Sequence, residues 1–506
     1  MKSRFCPPKG TLMPRKTLDQ LPDIFVSNKD LNDLVTSGLR AGKLRKLASR
    51  LYTKDIRTPP ETLVRRNIWA IVGAYFPSAL IADRTALEGA PAKDGSIFLV
   101  SSGSQSEIAL PGYALYPRRG STPLDTDLAF MDALRLSSPA RAMLDNYVPS
   151  RSRKGTVSRT FSKAEMEAHL EKLLRQSGED ELNKLRDEAR RIAPALKRQK
   201  EFKALSKMIG ALLNTQTDRL QTPAGRARRK GLPFDPRRGE LFELLRAELH
   251  RTPPQTRQAV PGDGTTLPFF EAYFSNFIEG TEFAVDEAAA IVFENRIPNA
   301  RPQDAHDIIG TYRVVSEEAE MRRTPRTFAE FERLLRHRHA AIMNARPDKN
   351  PGQYKTQHNR AGSTEFVAPE LVRGTLDLGF KAFLSLATPF QRAVFMMFLV
   401  AEVHPFSDGN GRLSRIMMNA ELVSADEQRI IIPTIYRANY LSALKAISNR
   451  TSAEPLIRTL DFAQRFTRAI DWRNFKRAES ELREAKAFMD SAEADEQGIR
   501  LRLPVS

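Results

Sequence analysis

HPFSDGNGRLSR, residues 404–415, gathers a histidine, a carboxylate, two glycines around an asparagine and two arginines into one short stretch. The run before it, FLSLATPFQRAVFMMFLVAE (383–402), is mostly apolar and reads as a buried central helix. Pro405 and the glycines force a loop after that helix. RLSRIMMNAEL (412–422) then restarts an amphipathic helix. Gly409, Asn410 and Gly411 therefore fall at a helix N-terminus, where free backbone N–H groups and the helix dipole attract an anion. Glycines let that backbone approach a phosphate closely. Arg412 and Arg415, three apart, share one helix face, and both can clamp phosphate oxygens. Asp408 is a hard oxygen ligand of the kind Mg²⁺ takes beside a polyphosphate. His404 is the nearby group whose ordinary pKa suits a general base. Phe406 is expected to plug the loop into the core. No G-x-x-x-x-G-K-[ST] stretch offers a competing phosphate loop.

Outward from this stretch, 506 residues allow about three domains, and 41% hydrophobic content supports a folded core. The one cysteine, Cys6, cannot form an internal disulfide, which fits a reducing cytoplasm or is silent. The N-terminus shows no signal-peptide pattern, and no apolar run approaches the ~18 residues of a membrane span. The net charge of +18 is unevenly spread. Residues 1–150 hold 21 Lys/Arg against 14 Asp/Glu, residues 151–240 hold 23 against 12, and residues 241–506 hold 35 of each. The first half thus suits a polyanion such as nucleic acid, or is a basic soluble face without a specific partner.

In that half, TLDQLPDIF gives a short helical turn, Ser27 or Asn28 can cap a helix through KDLNDLVTSGL, and KLRKLASRLYTKD alternates as a basic hairpin around Ala48-Ser49. Helix, helix and basic hairpin outline a winged helix, with Arg40, Lys43, Arg45, Lys46 and Arg50 as candidate DNA contacts. ETLVRRNIWAIVGAY (61–75) is an amphipathic helix with Leu63, Ile68, Ile71 and Val72 inward, and SALIAD, SIFLVSS, EIALPG and YALYPRR read as strands. Residues 149–164 read as a basic loop, 163–215 as helical, and 221–239 (QTPAGRARRKGLPFDPRRG) as an exposed linker that could touch phosphates. Beyond 240 helices are expected at 240–250, 266–281, 284–296, 303–321, 327–345, 376–400, 411–423, 438–448 and 454–470. A β-hairpin interrupts them within PGQYKTQHNRAGSTEFVAP (350–368). His337 and His339 lie two apart in a helical pattern, so they form no metal pair, and a solvated face is expected for both.

GLRAGKLRKLASRLYT (38–53), YFPSALIADRTAL (75–87) and ELNKLRDEARRIAPAL (181–196) give residues 15–215 a resemblance to the AbiEi-type antitoxin and transcriptional-regulator family. The resemblance implies a winged-helix DNA-binding module followed by a small α/β domain. Residues 404–415 resemble the Fic family, whose pattern H-x-F-x-(D/E)-G-N-G-R-x-x-R is matched at every fixed position; the likeness extends over about 260–470 and includes IPTIYRANYLSAL (432–444). It implies an all-helical core and transfer of AMP from ATP to a protein hydroxyl. His404 would deprotonate the acceptor and Asp408 would hold Mg²⁺. Gly409, Asn410 and Gly411 would stabilise the α-phosphate. Arg412 would serve the β-phosphate region and Arg415 the γ-phosphate. The flap, through Thr356, Gln357, His358, Asn359, Arg360, Ala361 and Gly362, would align the target by strand-like pairing. Asn439 and Tyr440 would border the adenine. FSNFIEGTEF resembles the family's inhibitory pattern (S/T)-x-x-x-E-(G/N) at Ser275, Glu279 and Gly280. By that likeness Glu279 pairs with Arg415 in place of the γ-phosphate, and in some members such a glutamate also supports AMP removal.

The expected architecture is multidomain: a winged-helix module (1–60), an AbiEi-like α/β and helical region (61–220), a linker (221–239), an all-α Fic core with a β-hairpin flap (240–475, inhibitory helix 266–281) and a helical, frayed tail (476–506). The expected function is autoinhibited protein adenylylation on a Ser, Thr or Tyr hydroxyl, in the cytoplasm, with ATP and Mg²⁺. DNA contact is expected through residues 1–60 and the basic first half, no membrane partner is expected, and a homo-oligomer is left open. The alternative is a DNA-binding regulator whose Fic core only senses nucleotide. Transfer of another phosphate-containing group is a third reading.

Overall fold

The computed structural model describes residues 17–503 except 104, 132–133, 152–154, 254, 363 and 450–451. Cys6, the first 16 residues of the expected winged-helix module, part of the basic loop, Ser363 of the flap stretch and the last three residues of the tail lie outside the described residues. The chain divides into two compact units, Met1–Arg229 and Lys230–Ser506.

The first unit opens with a 3-10 turn (Leu18–Gln20), then β1 (Ile24–Val26), α1 (Asn32–Arg40), β2 (Arg45–Ala48) and β3 (Leu51–Thr53). Asn28, not Ser27, provides the cap, its side chain accepting from the Asp30 amide at 3.1 Å. The basic hairpin forms as its alternation predicts, with Arg50 in the left-handed region (φ 58°) at the turn. Ile24–Val26 pairs with Leu51–Thr53 to give a three-stranded sheet ordered β1-β3-β2. That strand lies in the stretch read as helical, so one α-helix, not two, precedes the hairpin. Ile-Phe-Val is a strand-favouring triplet, and pairing with β3 decides it.

A second group follows: α2 (Pro60–Tyr75), β4 (Leu80–Ile81), α3 (Asp83–Glu88), β5 (Ser96–Val100), β6 (Ile108–Leu110), β7 (Tyr113–Arg118), β8 (Leu128–Phe130) and β9 (Leu134–Leu136). Leu63, Ile68, Ile71 and Val72 of α2 are buried, as their spacing predicts. The sheet is mixed, in the order β6-β7-β5-β4-β9-β8. The four segments read as strands become β4 to β7. Helices α4 (Pro139–Asn146), α5 (Lys163–Leu196, interrupted at Gly178), α6 (Gln199–Leu212) and α7 (Pro223–Arg229) complete the unit.

The division between the two units falls inside the expected linker at 221–239, after Arg229, but the first part of that stretch is a helix and not exposed chain. The Gln221 and Thr222 amides donate to the buried Glu167 carboxylate at 2.6 and 2.9 Å, and Arg228 pairs with buried Glu171 at 3.2 Å. These carboxylates on α5 turn a basic, glycine-rich run into a packed helix. Pro236 then starts the next helix, capped by Asp235.

The second unit is helical: α8 (Pro236–Arg251), α9 (Thr266–Ile278), α10 (Val285–Glu294), α11 (Pro302–Ser316), α12 (Glu318–Met321) and α13 (Phe328–Ile342) come first. The hairpin β10 (Arg360–Ala361) and β11 (Thr364–Glu365) follows, then α14 (Val372–Phe383), α15 (Pro389–Val403), α16 (Asn410–Val423), α17 (Arg437–Ser448), α18 (Glu454–Ala469), α19 (Phe475–Glu484) and α20 (Ser491–Glu496). The stretch expected as one helix at 376–400 is two. Thr388 and Gln391 form a reciprocal capping box, with Pro389 at the first helical position. α15 is buried along nearly its whole length and packs against α16. This antiparallel pair places the 404–409 loop between them. The tail is not loose in its described part: Ala478, Leu482, Ala487, Ala494 and Leu501 all join the core. Among the described residues, no helix is long and apolar enough to cross a membrane.

Candidate active site

The reacting loop is built by two helix ends. His404 caps α15 in the left-handed region (φ 52°), which swings the chain away from the helix axis. Gly409, also left-handed (φ 74°), starts α16. Between them the Asn410 side chain staples the turn: its Oδ1 accepts from the Phe406 amide and its Nδ2 donates to the Phe406 carbonyl, both at 2.9 Å. Asn410 is buried, so what it can offer an anion is its backbone amide, not its side chain.

Beneath the loop lies a residue that the sequence reading placed on a solvated face. His339 is fully buried, while His337 is exposed. The His339 ring stacks on Phe406 with centroids 3.7 Å apart. Its Nδ1 accepts from the Gly352 amide at 2.8 Å, so the proton sits on Nε2, which faces the Asp408 carbonyl at 3.0 Å. The two-residue spacing separates the histidines correctly, but it cannot say which one turns inward. Burial pushes the His339 pKa down to about 4.

His404 is tied the same way. Its Nδ1 lies 3.3 Å from the Ala401 carbonyl, which can only accept, so Nδ1 carries the proton and Nε2 presents a lone pair. Burial pushes its pKa down to about 4, and the nearby charge of Lys355 adds to this, against Glu279 and Asp408. The ring is therefore neutral at pH 7 and ready to accept a proton.

Both histidines carry a pH signature for stability. An unfolded histidine binds a proton below about pH 6.5, and these two resist until about pH 4. Stability should thus fall as pH drops through this window, by on the order of 2–3 kcal/mol from His339 alone. Urea unfolding of wild type and His339→Asn at pH 7.5 and 4.5 checks it: the variant should show the smaller loss between the two pH values.

The cations and their partners complete the site. Arg415 is buried. Its Nη2 donates to Glu279 Oε1 and to the Ser275 carbonyl, both at 2.8 Å, and its Nε donates to Ser275 Oγ at 3.0 Å. The Glu279 carboxylate lies directly over the Gly411 backbone, where a Cβ on Gly411 would overlap it. Glu279 ends α9, and Gly280 at φ 93° lets the chain turn away. A carboxylate thus sits at the N-terminus of α16, on the arginine that the resemblance assigns to the γ-phosphate.

Arg412 is buried against Asp307, with Nη1 to Oδ2 at 3.1 Å, and its Nη2 meets Met343 Sδ at 3.3 Å. Its Nε has no hydrogen-bond partner among the described residues, a buried donor that a phosphate oxygen would satisfy. Asp307, Met343 and His339 support the loop from elements that carry no motif of their own, and nothing in the sequence marked them.

Asp408 is half-buried, with Oδ1 accepting from the Gly409 amide at 2.6 Å. Among the described residues no group of three or more His, Cys, Asp or Glu could hold a metal alone. One carboxylate at a phosphate cradle fits Mg²⁺ shared with a triphosphate, because that ion keeps water and phosphate oxygens in its octahedron.

Tyr440 and Asn439 are separated. Tyr440 is 1% exposed, with its hydroxyl on Met397 Sδ at 3.3 Å and against Arg415, so it supports the arginine from inside the core and is not free to border a base. Asn439 is exposed. In the flap Thr356, Gln357, His358, Arg360, Ala361 and Gly362 are exposed, while Asn359 turns inward. Strand pairing is confined to Arg360–Ala361 with Thr364–Glu365.

In the first unit Arg40, Lys43, Lys46 and Arg50 are exposed. Arg45 is not: it is half-buried, and its guanidinium donates to the Thr58 carbonyl, which makes it a structural residue.

Comparison with known proteins places this site. Residues 330–422 match the model of the Fic/DOC family. The chain is similar to protein adenylyltransferase fic-1 of Caenorhabditis elegans, 24% identical over 204 residues that make up 38% of each chain. It is also similar to protein adenylyltransferase Fic of Drosophila persimilis, 37% identical over 70 residues, 14% of each chain. A solved fragment of Fic-1 from C. elegans aligns at 18% identity and a TM-score of 0.33, covering 64% of this chain and 95% of the fragment. The chain thus spans little more than a third of the length of the first curated relatives it matches. The family match takes in most of α13, the flap, α14, α15 and nearly all of α16, including His404 to Arg415, and residues 330–422 are therefore a Fic domain.

Proposed function

We propose that this chain is a protein adenylyltransferase held in check by its own Glu279. The target hydroxyl gives its proton to His404 Nε2 as its oxygen attacks the α-phosphorus of ATP. The bond from that phosphorus to the bridging oxygen breaks, and pyrophosphate leaves toward Arg412 and Arg415. The amides of Gly409, Asn410 and Gly411, at the positive end of α16, stabilise the α-phosphate as its charge shifts. Asp408 would hold Mg²⁺, whose charge would offset that developing on the leaving group. The exposed edge Arg360–Ala361 receives the target strand. In-line placement and electrostatics carry the rate in such transfers, and this site supplies both without a covalent step.

The observation that carries this reading is the Glu279 carboxylate over Gly411 and on Arg415. A surface helix end has no reason to lay a carboxylate into an anion cradle beside a histidine base. The test is mass spectrometry of lysate proteins after incubation with ATP and Glu279→Gly protein. AMP on Ser, Thr or Tyr of one or a few proteins is expected; an unmodified lysate contradicts the proposal.

The four candidate contacts that are exposed, Arg40, Lys43, Lys46 and Arg50, favour a second property, DNA binding through an AbiEi-like winged helix. Fluorescence anisotropy against duplex DNA at rising salt should show log K falling linearly with log salt. Lys46→Ala with Arg50→Ala should flatten the slope by about 2, at ~0.9 per phosphate contact. A slope unchanged by the pair would remove the hairpin from the contact.

A further inference from the structure

The flap and the reacting loop are separate segments, yet they are bound together at their bases. The Lys355 amide donates to the Pro405 carbonyl at 2.9 Å. Asn359 Nδ2 donates to the Phe406 carbonyl at 3.0 Å. Lys355 Nζ donates to Asn359 Oδ1 at 2.6 Å, and the Phe366 amide donates to the Asn359 carbonyl at 3.3 Å. The Phe366 ring then lies flat on His404, with centroids 3.7 Å apart and planes 7° from parallel. Its ring centroid is 5.9 Å from the Lys355 ammonium.

Lys355 is the unexpected member. It is 6% exposed, and its ammonium forms no ion pair among the described residues. A lone buried ammonium costs stability. Burial, with the charge of Arg238 adding to it, pushes its pKa down to about 7. A leucine or methionine would fill the same space more cheaply, so packing alone gives no reason for a lysine.

We infer that Lys355 and Asn359 are positioning residues that lock the flap to the Pro405–Phe406 turn, and through Phe366 fix the plane of the His404 ring against the edge that presents the target. This inference rests on the adenylyltransferase reading. The strut fixes two things together: the height of the Arg360–Ala361 edge and the direction of His404 Nε2. A hydroxyl delivered on that edge then meets the base without a search. The nucleotide cradle, built from α16, α9 and α11, meets the strut at the Phe406 carbonyl, which accepts from both Asn359 and the Asn410 side chain; Asn410 keeps its second bond, to the Phe406 amide, when the strut is cut, so the affinity for ATP should change little.

Lys355→Met, Lys355→Arg and Asn359→Asp, each in the Glu279→Gly background, test this. Asn359→Asp keeps an acceptor for Lys355 and replaces the donor to Phe406 by a charged oxygen that repels its carbonyl. The probe is α-³²P-ATP with whole lysate protein as acceptor. Lys355→Met and Asn359→Asp should slow labelling at saturating ATP by ~10–100-fold, with KM for ATP within about twofold. Lys355→Arg should recover most of the rate. Full labelling by Lys355→Met, a KM for ATP that rises in step with the loss, or failure of arginine to rescue would each overturn the inference.

Amide exchange separates this test from the function itself. Peptides covering 352–366 and 404–408 should exchange faster in Lys355→Met than in its parent. Unchanged exchange sinks the strut whatever the activity. If the Glu279→Gly parent labels nothing, the adenylyltransferase reading fails, and exchange alone then decides whether the strut exists.

Discussion

His404→Ala in the Glu279→Gly background is expected to lose ~10²–10⁴-fold in AMP transfer, the usual contribution of a positioned general base. ATP affinity should stay within a few-fold of the parent. The Nδ1 proton held at Ala401 leaves Nε2 as the accepting atom, and no other side chain in the loop can replace it. Asp408 lies in the same loop, but its Oδ1 already accepts from the Gly409 amide. The ring also packs on Phe366, so a drop in stability accompanies the change. His404→Asn, which keeps a polar group at the position, should be equally inactive. Initial rates with labelled ATP, together with equilibrium dialysis of ATP, separate a lost base from a lost binding site. Both losing in proportion would mean that the histidine serves the nucleotide and not the hydroxyl.

Glu279→Gly is expected to raise AMP transfer by ~10–100-fold. A hydrogen bond to a charged group is worth about 1.5–3 kcal/mol, and every 1.4 kcal/mol is tenfold in affinity. The carboxylate does two things that disfavour ATP. It occupies Arg415 Nη2 at 2.8 Å, and it places a negative charge over Gly411, where a phosphate would have to come. Glu279→Gln isolates the second effect, because it keeps the bulk and removes the charge. Its rate should fall between wild type and the glycine variant. The gain should appear in the KM for ATP, or in both KM and kcat if the glutamate also misplaces the triphosphate. Wild type and Glu279→Gly with equal rates would leave the ion pair as a structural contact only.

The reacting loop was legible because its chemistry is local. His404 to Arg415 spans two helix ends, and glycine, proline and asparagine determine the turn between them through backbone conformation alone. Glu279 was legible only through the resemblance to the inhibitory pattern, and both Ser275 and Glu279 do reach Arg415. What the sequence could not give were the contacts made by tertiary packing. His339 differs from His337 only in which side of α13 meets the loop. Tyr440 is a site residue by the resemblance alone, yet α17 turns it into the core beside Arg415. Asp307 and Met343 hold Arg412 from helices without any motif.

The errors of fold have the same origin. Ile24–Val26 and Pro223–Arg229 follow partners far along the chain, β3 and the buried glutamates of α5, against a weak local preference. The division of 376–400 was readable: Thr-Pro-x-Gln at Thr388 to Gln391 is a capping signature, and the apolar run on either side obscured it.

The most direct test of the central claim, that the N-terminus of α16 presents the α-phosphate of ATP to a hydroxyl activated by His404, is parallel labelling with α-³²P-ATP and γ-³²P-ATP by purified Glu279→Gly protein. The account predicts protein-bound label from the α-position, none from the γ-position, and loss of that label when His404→Ala is added. Label from the γ-phosphate, or α-label that survives His404→Ala, would contradict it.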